Sequence, residues 1–76
     1  MTLDTCSPNH CYTITAIQET PSNRRHYYHL GLLEGTNLRC LFTAPSGDPI
    51  AFEINGYVIA LRKAQLKTIH GKLGER

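Results

Sequence analysis

The sequence predicts a small, mainly β domain: five short antiparallel strands forming a barrel, with one short helix between the first and second strands. Three observations carry this. Leu38, Cys40, Phe42 and Ala44 alternate with Arg39, Leu41 and Thr43, and Ile50, Phe52 and Ile54 alternate with Ala51, Glu53 and Asn55. A period of two is the mark of a strand with one buried face. Asn55-Gly56 then separates the second of these runs from the apolar stretch Tyr57 to Arg62. A type I′ hairpin turn needs positive φ at both central residues, and this dipeptide supplies it. Finally, 76 residues leave room for one core and no second domain.

Taken in order, Cys11 to Ile17 is rich in β-branched and aromatic residues and reads as the first strand. Pro21-Ser22-Asn23 breaks that pattern and offers a helix N-cap. Arg24 to Leu30 comes next as a short helix, ended by Gly31, which enters the left-handed C-cap conformation cheaply. So short a helix does not offset its own nucleation cost in water and has to dock. Tyr27 and Leu30, three apart on one face, are the residues expected to dock it. Pro45 to Pro49 separates the second and third strands, and Tyr57 to Arg62 is the fourth. Ala64 to Leu66 reads as one helical turn, and Lys67 to His70 as the strand that closes the barrel and removes its edges. The core is expected over residues 8–70, with 71–76 a flexible tail.

Charge and composition narrow the function. The net charge is +2, unevenly spread: residues 1–23 hold Asp4 and Glu19 with no Lys or Arg, while 62–76 hold Arg62, Lys63, Lys67, Lys72 and Arg76 against Glu75. No aromatics interleave with these cations to stack bases, so the basic end reads as solvated strand and tail, not as a nucleic-acid surface. The longest apolar run, Tyr57 to Leu61, is far short of the roughly 20 residues a membrane span needs. Met1-Thr2-Leu3-Asp4 lacks the basic cluster and hydrophobic segment that begin a signal peptide. Three cysteines, an odd number, indicate reduced thiols and a cytoplasmic setting.

Few residues offer chemistry. Cys6, His10 and Cys11 have a spacing reminiscent of metal sites, but no second pair completes a tetrahedral set. If His10 already lies in the strand with Cys11, their side chains point to opposite faces and do not share a metal. Cys11 and Cys40 are expected to act as small apolar residues. His26 and His29 lie three apart on the helix without a carboxylate partner. These are weak ligands for Fe(II) or Zn(II), and no cofactor is expected. There is no nucleophile–base arrangement, no phosphate-binding loop of the G-x-x-x-x-G-K type, and no acid/base pairing of Asp48 with Glu53. The expectation is a protein that is not an enzyme. Pro45-Ser46-Gly47-Asp48-Pro49 is hairpin punctuation, fixed by two prolines and a glycine. Such a rigid tip also makes a binding surface at low ordering cost.

Three phrases carry a resemblance: Leu30-Gly31-Leu32 with Gly35 beyond it, Ala44-Pro45-Ser46-Gly47-Asp48-Pro49-Ile50, and Ala60-Leu61-Arg62-Lys63. In this order they resemble the signature of the FeoA family, whose pattern reads leucine-glycine-leucine, a Gly-Thr turn, Ala-Pro-Leu-Gly-Asp-Pro-Ile, then Ala-Leu-Arg-Arg. The resemblance implies an SH3-like barrel that assists bacterial ferrous iron uptake without catalysing a reaction. The implied partner is the cytoplasmic GTP-binding part of the FeoB permease, which would place the protein at the inner face of the membrane without insertion. Weak self-association is a further expectation. The implied contact surface is the helix with Arg24, Tyr27, Tyr28 and Leu32, plus the loop at Ser46 and Asp48. Ser46 stands where the family has leucine, so an apolar knob is missing at the loop tip. Tyr27 and Tyr28 also replace leucines, whereas Arg24 matches a basic position. The same barrel occurs at the C-terminus of iron- and manganese-responsive repressors. A metal-responsive module is therefore the alternative, although 76 residues hold no helix-turn-helix domain. A small-barrel nucleic-acid binder is the third reading.

Overall fold

A computed structural model describes residues 1–74. After a 3₁₀ turn at Leu3–Thr5 come β1 (Cys11–Ile17), α1 (Pro21–His29), β2 (Asn37–Thr43), β3 (Ile50–Ile54), β4 (Tyr57–Leu61), α2 (Lys63–Leu66) and β5 (Ile69–Leu73). The five strands form one antiparallel sheet in the order β4-β3-β2-β1-β5. This is the expected SH3-like architecture, with the helix between the first and second strands. The expected closure is not made by hydrogen bonds. Among the described residues no ladder joins β4 to β5, so the curled sheet keeps two edges.

Local chemistry explains most boundaries. Asn55 and Gly56 both have positive φ, 51° and 87°, as the type I′ turn between β3 and β4 requires. α1 begins earlier than Arg24, because the N-cap expected within Pro21-Ser22-Asn23 is instead Thr20. Its Oγ accepts from the Asn23 N–H at 3.3 Å, and Pro21 takes the first helical position, where a missing N–H costs nothing. Ile50, Phe52 and Ile54 are buried as their alternation predicts.

The alternation in β2 fails after Cys40. The pairing with β3 shifts between Cys40 and Phe42, so Leu41 is an extra residue in the ladder. Such a bulge reverses the facing of the residues beyond it, and Phe42 is left 60% exposed instead of in the core. Ala44 lies beyond the end of the strand.

The core also reaches further than 8–70. Leu3 is fully buried, Thr2 bridges to His70, and the Gly71 N–H donates to the Met1 carbonyl at 2.8 Å. Residues 71–73 are not tail but the end of β5, paired with Tyr12, Thr13 and Ile14 of β1. Residues 75–76, the remainder of that proposed tail, lie outside the described residues. Among the described residues no buried polar or charged residue interrupts the apolar interior, where Leu3, Ile14, Phe52, Leu66 and Ile69 are among the fully buried side chains. Each such side chain contributes on the order of 1.5–3 kcal/mol of transfer free energy.

Candidate functional site

α1 is a polar helix that buries one side chain, Tyr27. Its end makes a tight, fully bonded C-terminus. The Gly31 N–H donates to the Tyr28 carbonyl at 2.9 Å, and the Leu32 N–H donates to the Tyr27 carbonyl at 2.8 Å. That pair of bonds is the Schellman motif, and Gly31 at φ 88° supplies the left-handed residue it needs. The motif brings the second residue past the Leu30 cap back over the helix's last turn, which explains where Leu32 goes. Leu32 is 1% exposed and belongs to the same buried cluster as Tyr27, with Leu30 packed against it. Tyr27 docks the helix as its spacing predicts, and neither it nor Leu32, both also expected on the contact surface, is available there: they are core residues that hold the helix down.

Successive helical residues point about 100° apart, so burying Tyr27 turns Tyr28 outward. Tyr28 is 62% exposed, with the His29 ring edge-on to it at 6.3 Å between centroids. Arg24 is committed within the fold. Its guanidinium donates to the Ile17 carbonyl at the end of β1 and lies 3.8 Å from the Glu34 carboxylate. The ion pair is exposed and by itself worth little, but the two contacts span the gap between helix and sheet. Beneath it runs an open groove of about 550 Å³ lined by Ile17, Arg24, Arg25, Tyr28, Leu33 and Glu34, among others. Arg25, Leu33 and Glu34 escaped the sequence reading. Arg25 was within reach of it, since it stands three residues before Tyr28 and shares its face. Leu33 and Glu34 come after a chain reversal that no periodicity marks.

The loop residues lie elsewhere. The Ser46 hydroxyl donates to the Asp48 carbonyl at 2.9 Å, and Asp48 Oδ1 accepts from the Lys63 N–H at 2.9 Å, capping the first turn of α2. Asp48 Oδ2 is 4.0 Å from the Arg62 guanidinium, and the Asp48–Pro49 peptide is cis. Ser46 thus braces the loop internally, and Asp48 ties the loop to α2. This loop leads into Ile50, whereas the other end of β3 faces the helix. Ile54 pairs with Tyr57, whose hydroxyl donates to the Leu30 carbonyl. Four steps along a strand separate these ends by about 13 Å. Helix and loop thus lie toward opposite ends of β3.

The candidate metal ligands do not gather. No group of three or more His, Cys, Asp or Glu side chains suited to a metal occurs among the described residues. Exposed His10 makes its ring contact with the Pro8 carbonyl at 3.1 Å. His26 and His29 are exposed on α1 with no third ligand beside them. Cys11 faces the outer side of the sheet, in a broad open depression of about 880 Å³ that it shares with Thr13, Arg39, Glu53 and Lys72. Arg39 and Glu53 are ladder partners there. Cys6 Sγ instead meets Cys40 Sγ at 3.2 Å. Burial, with the Cys40 thiol next to it, pushes the Cys6 thiol up to about 12.

No helix among the described residues is long and apolar enough to cross a membrane. Comparison with known proteins adds the lineage. A family model described as the FeoA domain matches residues 1–73. A FeoA-like protein from Clostridium acetobutylicum is 28% identical, covering 100% of this chain and 88% of that one with a TM-score of 0.88. The FeoA protein of Chlorobium tepidum is 30% identical over 96% of this chain and 70% of its own, at a TM-score of 0.87. The manganese regulator SloR shares the fold at 18% identity, covering 97% of this chain and 34% of that one with a TM-score of 0.85. No curated protein matches. With a family model spanning nearly the whole sequence, and a sheet and helix that superimpose on its solved members, the chain belongs to the FeoA domain family.

Proposed function

We propose that this protein is a non-enzymatic accessory factor of bacterial ferrous iron uptake that binds the cytoplasmic GTP-binding part of the FeoB permease through the exposed face of α1. Family membership supports the transport setting; a solved relative from Clostridium thermocellum, 25% identical over 96% of this chain and 45% of that one, is named iron(II) transport protein A. The observation that carries the contact is Tyr28. A large aromatic left 62% exposed beside Arg25 and Leu33, over an open groove, has the chemistry of an interface anchor. Tyr27 no longer competes for that role, being 3% exposed.

Binding alone is enough for such a protein to act. A ligand that prefers one conformation of the GTP-binding domain shifts the domain toward it by the difference between its two affinities. Within this proposal the protein carries no resident metal. Iron is the cargo of the partner, and the protein would sit at the inner face of the membrane only through that partner. The metal-responsive alternative rests on repressors less than 25% identical, which share the fold alone.

Titrating the purified GTP-binding domain of a ferrous iron permease with this protein, by calorimetry or fluorescence anisotropy, tests the reading. Saturable binding with a defined stoichiometry is expected. Absence of binding by every permease fragment, in both nucleotide states, removes the transport role.

A further inference from the structure

We propose that Cys6 and Cys40 form a dithiol that hydroperoxides convert to an intramolecular disulfide, fastening the N-terminal segment to β2. The two sulfurs are 3.2 Å apart, already in contact. A disulfide bond is about 2.05 Å long, so closing it needs an approach of about 1.2 Å.

The backbone holds each partner in place. The Cys6 N–H donates to the Leu3 carbonyl at 3.3 Å, closing the 3₁₀ turn whose Leu3 is fully buried. The next residue, Ser7, donates its N–H to the Tyr12 hydroxyl at 2.8 Å. On the other side, the Cys40 carbonyl accepts from Asn9 at 2.7 Å and its N–H donates to the His10 carbonyl at 2.9 Å. The chain from 6 to 10 is thereby laid against β2 with its first sulfur facing Cys40. Exposure makes the pair asymmetric: Cys6 is half-buried, while Cys40 is fully buried. Cys11 is excluded because it pairs with Arg39, the residue before Cys40, on the opposite side of the sheet.

The reaction needs only a hydroperoxide as oxidant. The Cys6 sulfur attacks the O–O bond, forming an S–O bond as that bond breaks, to give a sulfenic acid and an alcohol, or water from hydrogen peroxide. The Cys40 sulfur then attacks the Cys6 sulfur. The S–S bond forms as the S–O bond breaks, and the leaving hydroxide takes the Cys40 proton as water. Two electrons pass from the two thiols to one peroxide. With its thiol pushed up to about 12, Cys6 holds little thiolate at neutral pH, so the first step accelerates nearly tenfold per pH unit between pH 7 and pH 9.

The test treats the reduced full chain with hydrogen peroxide and follows thiol titration, intact mass and peptide mapping. Free thiols fall from three to one, the mass falls by two hydrogens, and one peptide pair links Cys6 to Cys40 until dithiothreitol separates it. Cys11→Ser keeps the link and Cys6→Ser abolishes it. The oxidised protein melts at least about 5 °C higher than the reduced one, because the cross-link restricts the unfolded chain. Three surviving thiols overturn the proposal, as do products confined to Cys11 or a Cys6→Ser protein that still loses two thiols. A lower melting temperature for the cross-linked form overturns the claim that the bond fastens the native arrangement.

Discussion

The two ends of β3 are built from similar materials and used differently. At the Ile50 end, the polar groups of the Ala44–Pro49 loop are taken up by the fold: Ser46 bonds within the loop, and Asp48 caps α2. At the Ile54 end, Tyr57 and Gly31 fix the C-terminus of α1, while the next aromatic, Tyr28, is left over. A short rigid loop and a short polar helix both look like binding elements from the sequence. The difference lies in whether their exposed groups already have partners. A surface group that holds its own element together gains little from a second partner, whereas a large exposed side chain without one has its full apolar area to bury.

The largest effect expected from this contrast separates two neighbouring tyrosines. Tyr27→Ala removes a buried aromatic anchor and should cost about 3–5 kcal/mol, as large aromatic-to-alanine changes in cores do. Urea unfolding measures it. A cost below about 1 kcal/mol would mean that the helix is held by its Schellman end and Arg24 alone.

Next come the two glycines flanking the Ile54 end. Both have positive φ, yet their surroundings differ. A Cβ at Gly31 would meet the Tyr57 hydroxyl oxygen at 3.0 Å, while one at Gly56 would meet nothing within 4 Å. Gly56→Val should cost more than about 1 kcal/mol from backbone strain alone. Gly31→Val adds a displaced Tyr57 hydroxyl and should exceed about 2 kcal/mol. Equal costs in urea unfolding would show that the Tyr57–Leu30 link contributes nothing to holding α1.

How much of the molecule is legible in its sequence depends on the range of the controlling interaction. The Asn55-Gly56 turn, the Gly31 helix end and the inward Ile50, Phe52 and Ile54 are set by φ preferences and strict alternation, which a sequence displays. Phe42 departs from its expected place because the bulge at Leu41 arises from pairing with β3, which no local pattern announces. Leu32 departs from the expected surface because the reversal at Gly31 folds it under the helix. The burial of Leu3 and the end of β5 depends on contacts between the two ends of the described chain, so neither is visible locally. The Asp48 cap on Lys63 spans fifteen positions and is likewise invisible. At the candidate site, Tyr28 is readable from helical spacing and Arg24 from the family resemblance, whereas Leu33 and Glu34 are readable from neither.

A smaller effect, on binding and not on folding, comes from Tyr28→Ala. Its side chain is 62% exposed and contacts the His29 ring, so the melting temperature should stay nearly unchanged. Affinity for the permease GTP-binding domain should fall by more than about tenfold, or about 1.4 kcal/mol, within the range of interface aromatics. Isothermal titration with wild type and variant provides the comparison. Unchanged affinity would move the contact off α1.

The smallest effect tests the other end of β3. Asp48→Ala deprives the Lys63 N–H of its acceptor, and the loss of an N-terminal cap typically costs about 1 kcal/mol. Its weak 4.0 Å contact with Arg62 adds little, since both groups are solvated. Leu66, at the other end of the same four-residue helix, is fully buried, so loosening α2 reaches the core and should appear in thermal unfolding. Binding to the permease domain should remain within about twofold of wild type at a temperature where the variant is folded, because Asp48 acts on its own chain. If Asp48→Ala instead lowers affinity tenfold while its stability holds, the carboxylate is reaching outward. The two ends of β3 would then be parts of one extended interface, spanning the roughly 13 Å between them.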